Sequence, residues 1–214
     1  NPDLKRESGW TYDVGVSFAV GKENIYSLSG SVNWFDSYVK DWILWLPTTK
    51  GFFSPRNVKD VHAYGIEAQS DFNFIMGKDW QLALNGTLSW TPSINEGEPM
   101  SPADQSVGKQ LPYVPEWSSS LTGRITWKSW SLLYKWCYYS KRHTMSSNDI
   151  SLTGKLPSSF MNNLTLEKGI TTKWADLSLK GAINNLFNEE YLSVLSRPMP
   201  GINFEFFISI SPYF

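Results

Sequence analysis

The chain has 214 residues and a net charge of −1, with 18% of its residues charged and 15% aromatic. This balance excludes the basic surface that nucleic-acid binding requires, and a single cysteine, Cys137, excludes a disulfide within the chain. No run approaches the roughly 18 apolar residues of a transmembrane helix.

The first and third predicted strands alternate between apolar and small or polar residues. In the first, one side carries Trp10, Tyr12, Val14, Val16, Phe18 and Val20. Residues 25–46 form one long strand, and residues 64–74 form a third whose second side carries polar residues. Alternation with period two is typical of strands whose two faces meet different surroundings.

The fourth predicted strand, Trp80–Trp90, has the clearest alternation. Its even positions are Trp80, Leu82, Leu84, Gly86, Leu88 and Trp90, and its odd positions are Gln81, Ala83, Asn85, Thr87 and Ser89. Later strands are predicted at 121–127, 130–138, 160–170, 177–187 and 202–214. The chain is therefore predicted to be all-β, with about nine strands and no helix. A soluble β-sandwich or lectin would alternate in the same way.

Two tryptophan pairs favour a membrane barrel. Trp80 and Trp90 share a side and lie ten residues apart, as do Trp117 and Trp127. Ten residues of a tilted strand span about 24 Å along a barrel axis, which matches the ~25 Å apolar band between aromatic girdles. Tryptophan suits these girdles because its ring is apolar while its N–H requires a polar partner.

The predicted connections alternate between short and long. The short ones are 21–24, 77–79, 128–129 and 171–173, and the long ones are about 47–60, 92–112, 141–155 and 188–200. Bacterial barrels have short periplasmic turns and long extracellular loops. We therefore predict an antiparallel up-and-down transmembrane β-barrel with its short turns in the periplasm.

This orientation identifies three groups of candidate residues. Charges predicted to face the lumen are Asp13, Glu67, Asp71, Arg124, Lys135, Glu167, Lys180 and Glu205. Candidates for substrate contact in or beside extracellular loops are Trp45, Phe52, Phe53, Tyr191, Arg197 and Met199. The membrane girdle is predicted to contain Trp80, Trp90, Trp117 and Trp127. Solvation of the lumen and packing between loops are the alternative roles for the first two groups.

Enzyme chemistry has little support in the sequence. His62 and His143 have no cysteine or acidic residue at metal-ligand spacing, so no metal site or cofactor is predicted. No nucleophile elbow or phosphate loop occurs. One enzyme alternative remains, because some outer-membrane barrels are lipases or proteases. It would need a nucleophile–base pair, and the only candidates for such a pair are the serines at 118–120 and His143.

Several segments, in order along the chain, resemble TonB-dependent outer-membrane receptors. Residues 183–191 (INNLFNEEY) look like the penultimate strand of that family, and 197–201 (RPMPG) with Phe204 and Phe214 look like its last loop and strand. The match extends over the chain through 1–7 (NPDLKRE, with Arg6 where proline is common), 64–67 (YGIE) and 111–115 (LPYVP).

The resemblance implies a domain organisation and a set of partners. Residues 1–214 would supply the last nine of 22 barrel strands, and earlier strands, a plug and a signal peptide would belong to a longer exported precursor. The implied partners are the TonB complex, the plug, a surface-exposed substrate-binding lipoprotein, membrane lipid with lipopolysaccharide, and the barrel-assembly machinery. Phe214 would be part of the signal that this machinery reads, or a girdle aromatic.

The same resemblance implies active import of a bulky, scarce nutrient across the outer membrane. Residues 45–58 and the C-terminal tail look most like vitamin B12 (cobalamin) transporters of Bacteroides-type bacteria, which favours a corrinoid. An iron siderophore or haem is the alternative within the family. A passive porin-like channel and a soluble carbohydrate-binding β-domain are the alternatives from other classes.

Overall fold

The structure is a computed structural model that describes residues 2–47, 53–99, 101–148 and 154–213. Within these ranges all regular secondary structure is β. None of the described segments forms a helix long and apolar enough to cross a membrane.

Nine principal strands form one antiparallel sheet in which each strand pairs with its neighbours in sequence. They are β1 (Ser8–Lys22), β2 (Tyr26–Pro47), β3 (Phe53–Met76), β4 (Trp80–Trp90), β5 (Trp117–Trp127), β6 (Trp130–Tyr139), β7 (Ser159–Thr171), β8 (Ala175–Asn184) and β9 (Asn203–Pro212). Both the predicted number of strands and their up-and-down order are confirmed.

Two predicted boundaries are wrong. The connection predicted at 47–60 is strand from Phe53 onward, because the β2–β3 pairing continues up to the Pro47–Phe53 pair. β8 ends at Asn184 rather than at Phe187, because Asn185 takes a left-handed φ of 51° and hydrogen-bonds to Asn163 and Glu189 instead of continuing the ladder with β9.

The predicted short connections are confirmed at one end of the sheet. They are residues 23–25, 77–79, 128–129 and 172–174. Asn24, Gly77 and Lys128 have φ values of 58°, 70° and 53°, and these left-handed conformations reverse the chain within two or three residues. All longer connections therefore lie at the opposite end.

Those longer connections contain short paired segments of their own. Ser93–Asn95 adds to the sheet by pairing with residues 61–63 of β3. Arg142–His143 pairs with Lys155–Leu156, and Leu192–Val194 pairs with Arg197–Pro198.

The most buried side chains lie mainly around these connections and at the adjacent strand ends, rather than across the middle of the sheet. Val61 and Leu156 are 1% exposed, and Asn95 is 2% exposed. By contrast, Val16 of β1 is 74% exposed and Ile208 of β9 is 60% exposed. Neither face of the described sheet is covered by a second sheet, which is inconsistent with a β-sandwich.

Candidate functional site

The strand register assigns the regularly paired residues in the middle of the principal strands to one of two faces. Residues directly opposite each other in antiparallel strands point to the same side, so the chain of pairs Asp71–Asn85, Asn85–Thr122 and Thr122–Lys135 defines one of them. All the predicted lumen-facing charges fall on this polar face: Asp13, Glu67, Asp71, Arg124, Lys135, Glu167, Lys180 and Glu205.

Side-chain hydrogen bonds run between strands on the polar face. Asn85 Nδ2 donates to Asp71 Oδ1 at 2.7 Å, and Ser178 Oγ donates to Glu167 Oε1 at 2.8 Å. Nearer the long-loop end, Asn184 Nδ2 donates to Glu205 Oε1 at 3.0 Å. These contacts satisfy each carboxylate in part and leave the surface wettable, as a water-filled lumen requires.

The charges on the polar face are ordered by strand. Glu67 and Asp71 lie on β3, whereas Arg124 and Lys135 lie on β5 and β6. A depression of about 360 Å³ lies between these strands, and Asp71, Arg124 and Lys135 line it. Among the described residues, none of these four charges has an opposite charge within 4.0 Å. Asp71 and Arg124 instead have neutral hydrogen-bond partners, Asn85 and Ser131.

The second face of the sheet is apolar and bordered by aromatic rings. At the short-turn end, the rings of Trp80 and Trp127 stack with centroids 5.7 Å apart. At the long-loop end, the rings of Trp90 and Trp117 lie 6.0 Å apart. We call the row at the short-turn end the lower aromatic row and the row at the long-loop end the upper aromatic row. The upper row continues through Tyr64, His62 and Tyr38 to Trp10, with neighbouring centroids 5.0 to 6.2 Å apart.

One polar cluster interrupts the upper aromatic row. His62 Nε2 lies 2.9 Å from Asp36 Oδ1, and His62 Nδ1 lies 3.0 Å from Glu96 Oε1. The sequence did not reveal this cluster, because its members are 26 and 34 residues away from His62 and meet only through the β2–β3 pairing and the following loop. No group of three residues suited to a metal ion occurs in the described part of the chain.

The long connections are held together by amide side chains. Asn148 Oδ1 accepts from the backbone N–H of Gln110 at 2.9 Å, and Asn148 Nδ2 donates to the Gln110 carbonyl at 2.9 Å. Asn95 Nδ2 donates to Ser106 Oγ at 3.1 Å. Arg142 Nη2 donates to the Leu192 carbonyl at 3.0 Å, which joins the β6–β7 connection to the β8–β9 connection. We call these linked connections the loop cluster.

Asn185 organises the last connection. Its amide Nδ2 donates to the Glu189 carbonyl at 2.9 Å, its Oδ1 accepts from the Glu189 N–H at 2.8 Å, and its own N–H donates to Asn163 Oδ1 at 2.9 Å. Asn185 is 5% exposed. The INNLFNEEY segment thus ends β8 and fixes the loop that follows.

This last connection borders a cavity of about 620 Å³, whose lining includes Tyr191, Met199, Glu189 and Glu190. The Met199 N–H donates to the Tyr191 carbonyl at 3.1 Å, so the structure brings these two predicted contact residues together. Arg197 does not line the cavity. It lies exposed in the short Arg197–Pro198 strand.

The other predicted loop contacts are placed differently or not described. Trp45 and Phe53 lie in the paired ends of β2 and β3 rather than in a loop, and only their backbone is described. Phe52 and Phe214 lie outside the described residues.

The structure shows no hydrogen bond between the residues considered for a nucleophile–base pair, within the part of the chain that it describes. Ser120 Oγ is 2.7 Å from Thr87 Oγ1 on the polar face. Within the described part of the chain, His143 Nδ1 is buried without a hydrogen-bond partner.

An uncovered antiparallel sheet with one polar face, one apolar face and two aromatic rows defines the wall of an outer-membrane β-barrel. A family model described as TonB-dependent receptor-like β-barrel matches residues 1–186. The chain belongs to this family, whose members are outer-membrane proteins of Gram-negative bacteria. A comparison with curated proteins gives no match.

Solved structures share the fold at low sequence identity. The copper transporter OprC is 16% identical with a TM-score of 0.69, and the match covers 99% of this chain and 32% of that one. The ferric-catecholate import receptor Fiu of E. coli K12 is 16% identical with a TM-score of 0.66, covering 100% and 29%. The unliganded ferric citrate transporter FecA is 12% identical with a TM-score of 0.70, covering 95% and 31%. The chain thus spans about a third of the length of these proteins.

Proposed function

We propose that this chain is the C-terminal part of the barrel of a TonB-dependent active transporter that imports a scarce, bulky nutrient across the outer membrane. The family match over residues 1–186 carries the proposal. In the proposed protein, the nine strands supply part of the wall, and the loop cluster supplies part of the extracellular entrance.

The partners follow from the same proposal. A plug would fill the lumen against the polar face, and TonB would act through a segment outside this chain. Asp71 on one side of the depression, with Arg124 and Lys135 on the other, offers the plug both signs of charge. Such a protein carries a solute without changing it, so no enzymatic step is proposed.

Two cargo classes are proposed. The resemblance of residues 45–58 and of the tail to cobalamin transporters favours a corrinoid. The names of the fold neighbours, which include a ferric-catecholate receptor and a ferric citrate transporter, support an iron complex as the second candidate. For either class, the proposed contact site is the cavity that Tyr191 and Met199 line.

Uptake by cells that produce the intact protein tests the function. We expect accumulation of labelled cyanocobalamin, or else of a ferric siderophore, and we expect accumulation to stop in a strain that lacks TonB. A passive channel would continue to accumulate cargo without TonB and would conduct ions steadily in planar bilayers. Either result would overturn active transport.

Variants of the cavity test where the cargo binds. Tyr191→Ala and Met199→Ala should each weaken binding to the intact protein about tenfold, as truncation of central contact residues does. Val194→Ala is the matched control, because Val194 is 40% exposed in the same connection and does not line the cavity. Equal effects of all three variants on a titration would argue against a site at this cavity.

A further inference from the structure

Two lysines accompany the lower aromatic row on the apolar face. Lys128 Nζ lies 5.3 Å from the Trp127 ring centroid, and Lys168 Nζ lies 4.7 Å from the Trp130 ring centroid. Both distances are those of cation–π contacts. Together with Trp80, whose ring stacks on Trp127, these residues form what we call the lysine–tryptophan patch.

Lys168 is the unusual member of the patch. It lies on the apolar face, opposite Trp130 and between Leu166 and Ile170, where a charge is unfavourable in hydrocarbon. Its ammonium reaches the β5–β6 turn and donates to Ser129 Oγ at 2.5 Å. The long side chain therefore carries its charge to the turn at the edge of the apolar band, which also contains Lys128.

Neither lysine of the patch has a carboxylate within 4.0 Å in the described ranges. The three tryptophan rings remain 38% to 44% exposed, so the patch also presents an apolar surface beside its two charges. Two ammonium groups at the border of an apolar surface match the chemistry of an anionic lipid, with a phosphate next to acyl chains.

We propose that the lysine–tryptophan patch is a binding site for an anionic phospholipid of the inner leaflet of the outer membrane. The lipid phosphate lies between Lys128 and Lys168. The parts of the acyl chains next to the headgroup lie on Trp80, Trp127 and Trp130. The choice of leaflet rests on the proposed orientation, in which the short turns face the periplasm.

Lipid retention by the intact transporter tests the site without any cargo. The protein is reconstituted in nanodiscs that contain equal amounts of phosphatidylcholine and phosphatidylglycerol, and native mass spectrometry then counts the lipids that stay bound. The wild type should retain phosphatidylglycerol preferentially. The double variant Lys128→Gln/Lys168→Gln should reduce this preference about twenty-five-fold, from a loss of about fivefold for each lysine.

The matched control is Lys78→Gln/Lys173→Gln, which removes the same charge from two other short turns. It should keep the wild-type preference, and both variants should keep the heat-modifiable migration of a folded barrel and the wild-type uptake. A wild type without preference, a control that loses as much as the double variant, or a double variant that still prefers phosphatidylglycerol would overturn the site. Retention of lipopolysaccharide on these lysines would overturn the assigned leaflet. Because uptake is measured separately, none of these outcomes depends on the transport function.

Discussion

Leu84 and Asn85 are neighbours in the middle of β4, yet their side chains meet different surroundings. Leu84 lies opposite Phe72 and Gly123 on the apolar face, whereas Asn85 donates a hydrogen bond to Asp71 on the polar face. At the scale of single residues, one face of the sheet therefore requires an apolar side chain where the next residue requires a polar one.

An arginine at each of these positions separates the two surroundings. Leu84→Arg should lower the free energy of unfolding by ~2–4 kcal/mol, because the charge would enter hydrocarbon near the bilayer midplane, while Asn85→Arg should have a small effect in a wet lumen. Denaturant unfolding of the intact protein in lipid vesicles measures both. Similar losses for the two variants would contradict the assignment of the faces.

Asn185 is a second position where one side chain controls local structure. Asn185→Leu removes both of its bonds to Glu189 and leaves buried polar groups without partners, so unfolding free energy should fall by ~2–3 kcal/mol. Asn203→Ala, which removes a side chain bonded only within the β8–β9 border, is the control and should cost less. The same denaturant titration compares them, and an Asn185 loss no larger than the Asn203 loss would contradict the role of Asn185.

At the scale of elements, the loop cluster is ordered by contacts between distant connections. The strands could be predicted because alternation within each segment reveals both its length and its two faces. The loop cluster could not be predicted, because the Gln110–Asn148 contacts join residues 38 apart and the Arg142–Leu192 contact joins residues 50 apart. No local pattern in the sequence signals such pairs.

The candidate site, like the fold, could be predicted within the strands but not in the loops. The charges of the polar face could be assigned from parity along each strand. The cavity residues Glu189 and Glu190 were missed, because their position depends on how Asn185 turns the chain after β8. The polar contacts of His62 were missed for the same kind of reason, since strand pairing and not sequence spacing brings Asp36 and Glu96 to it.

We expect His143 to make the loop cluster sensitive to pH. Burial lowers the pKa of His143, and the nearby ammonium of Lys141 lowers it further. The folded loop therefore favours the neutral ring, and its stability should be full above the unfolded pKa of about 6.5 and fall as the pH drops below that value. Hydrogen exchange of the Thr144 N–H, which donates to Gly154, should show less protection at pH 5.5 than at pH 7.5, after correction for intrinsic rates.

Two controls accompany this measurement. His143→Gln should remove the pH dependence at Thr144, and the Gly108 N–H, bonded to the Asn95 carbonyl, should show little dependence in either protein. A Thr144 protection that stays constant with pH in the wild type would contradict the role of His143.

At the scale of the whole molecule, the described sheet has two open edges. β1 pairs only with β2, and β9 pairs only with β8. The outer N–H and C=O groups of both strands need partners, because hydrocarbon offers none. We therefore predict that strands outside the nine described here close the wall.

A protein reduced to residues 1–214 tests this requirement. Expressed alone and placed in detergent, it should not yield a heat-resistant monomer, whereas the longer protein that we propose should migrate as a folded barrel until it is boiled. Gel mobility with and without heating distinguishes the two results, and a heat-resistant monomer of residues 1–214 would contradict the need for further strands at its edges.

In the proposed transporter, the amide-linked connections would also affect how a ligand is captured. The side chains of Asn95, Asn148 and Asn185 already hold these connections by hydrogen bonds, so docking there would require little additional ordering of the chain. A poorly matched molecule would then find no loop that adapts to it. On this proposal, we expect cargoes to differ mainly in their dissociation rates.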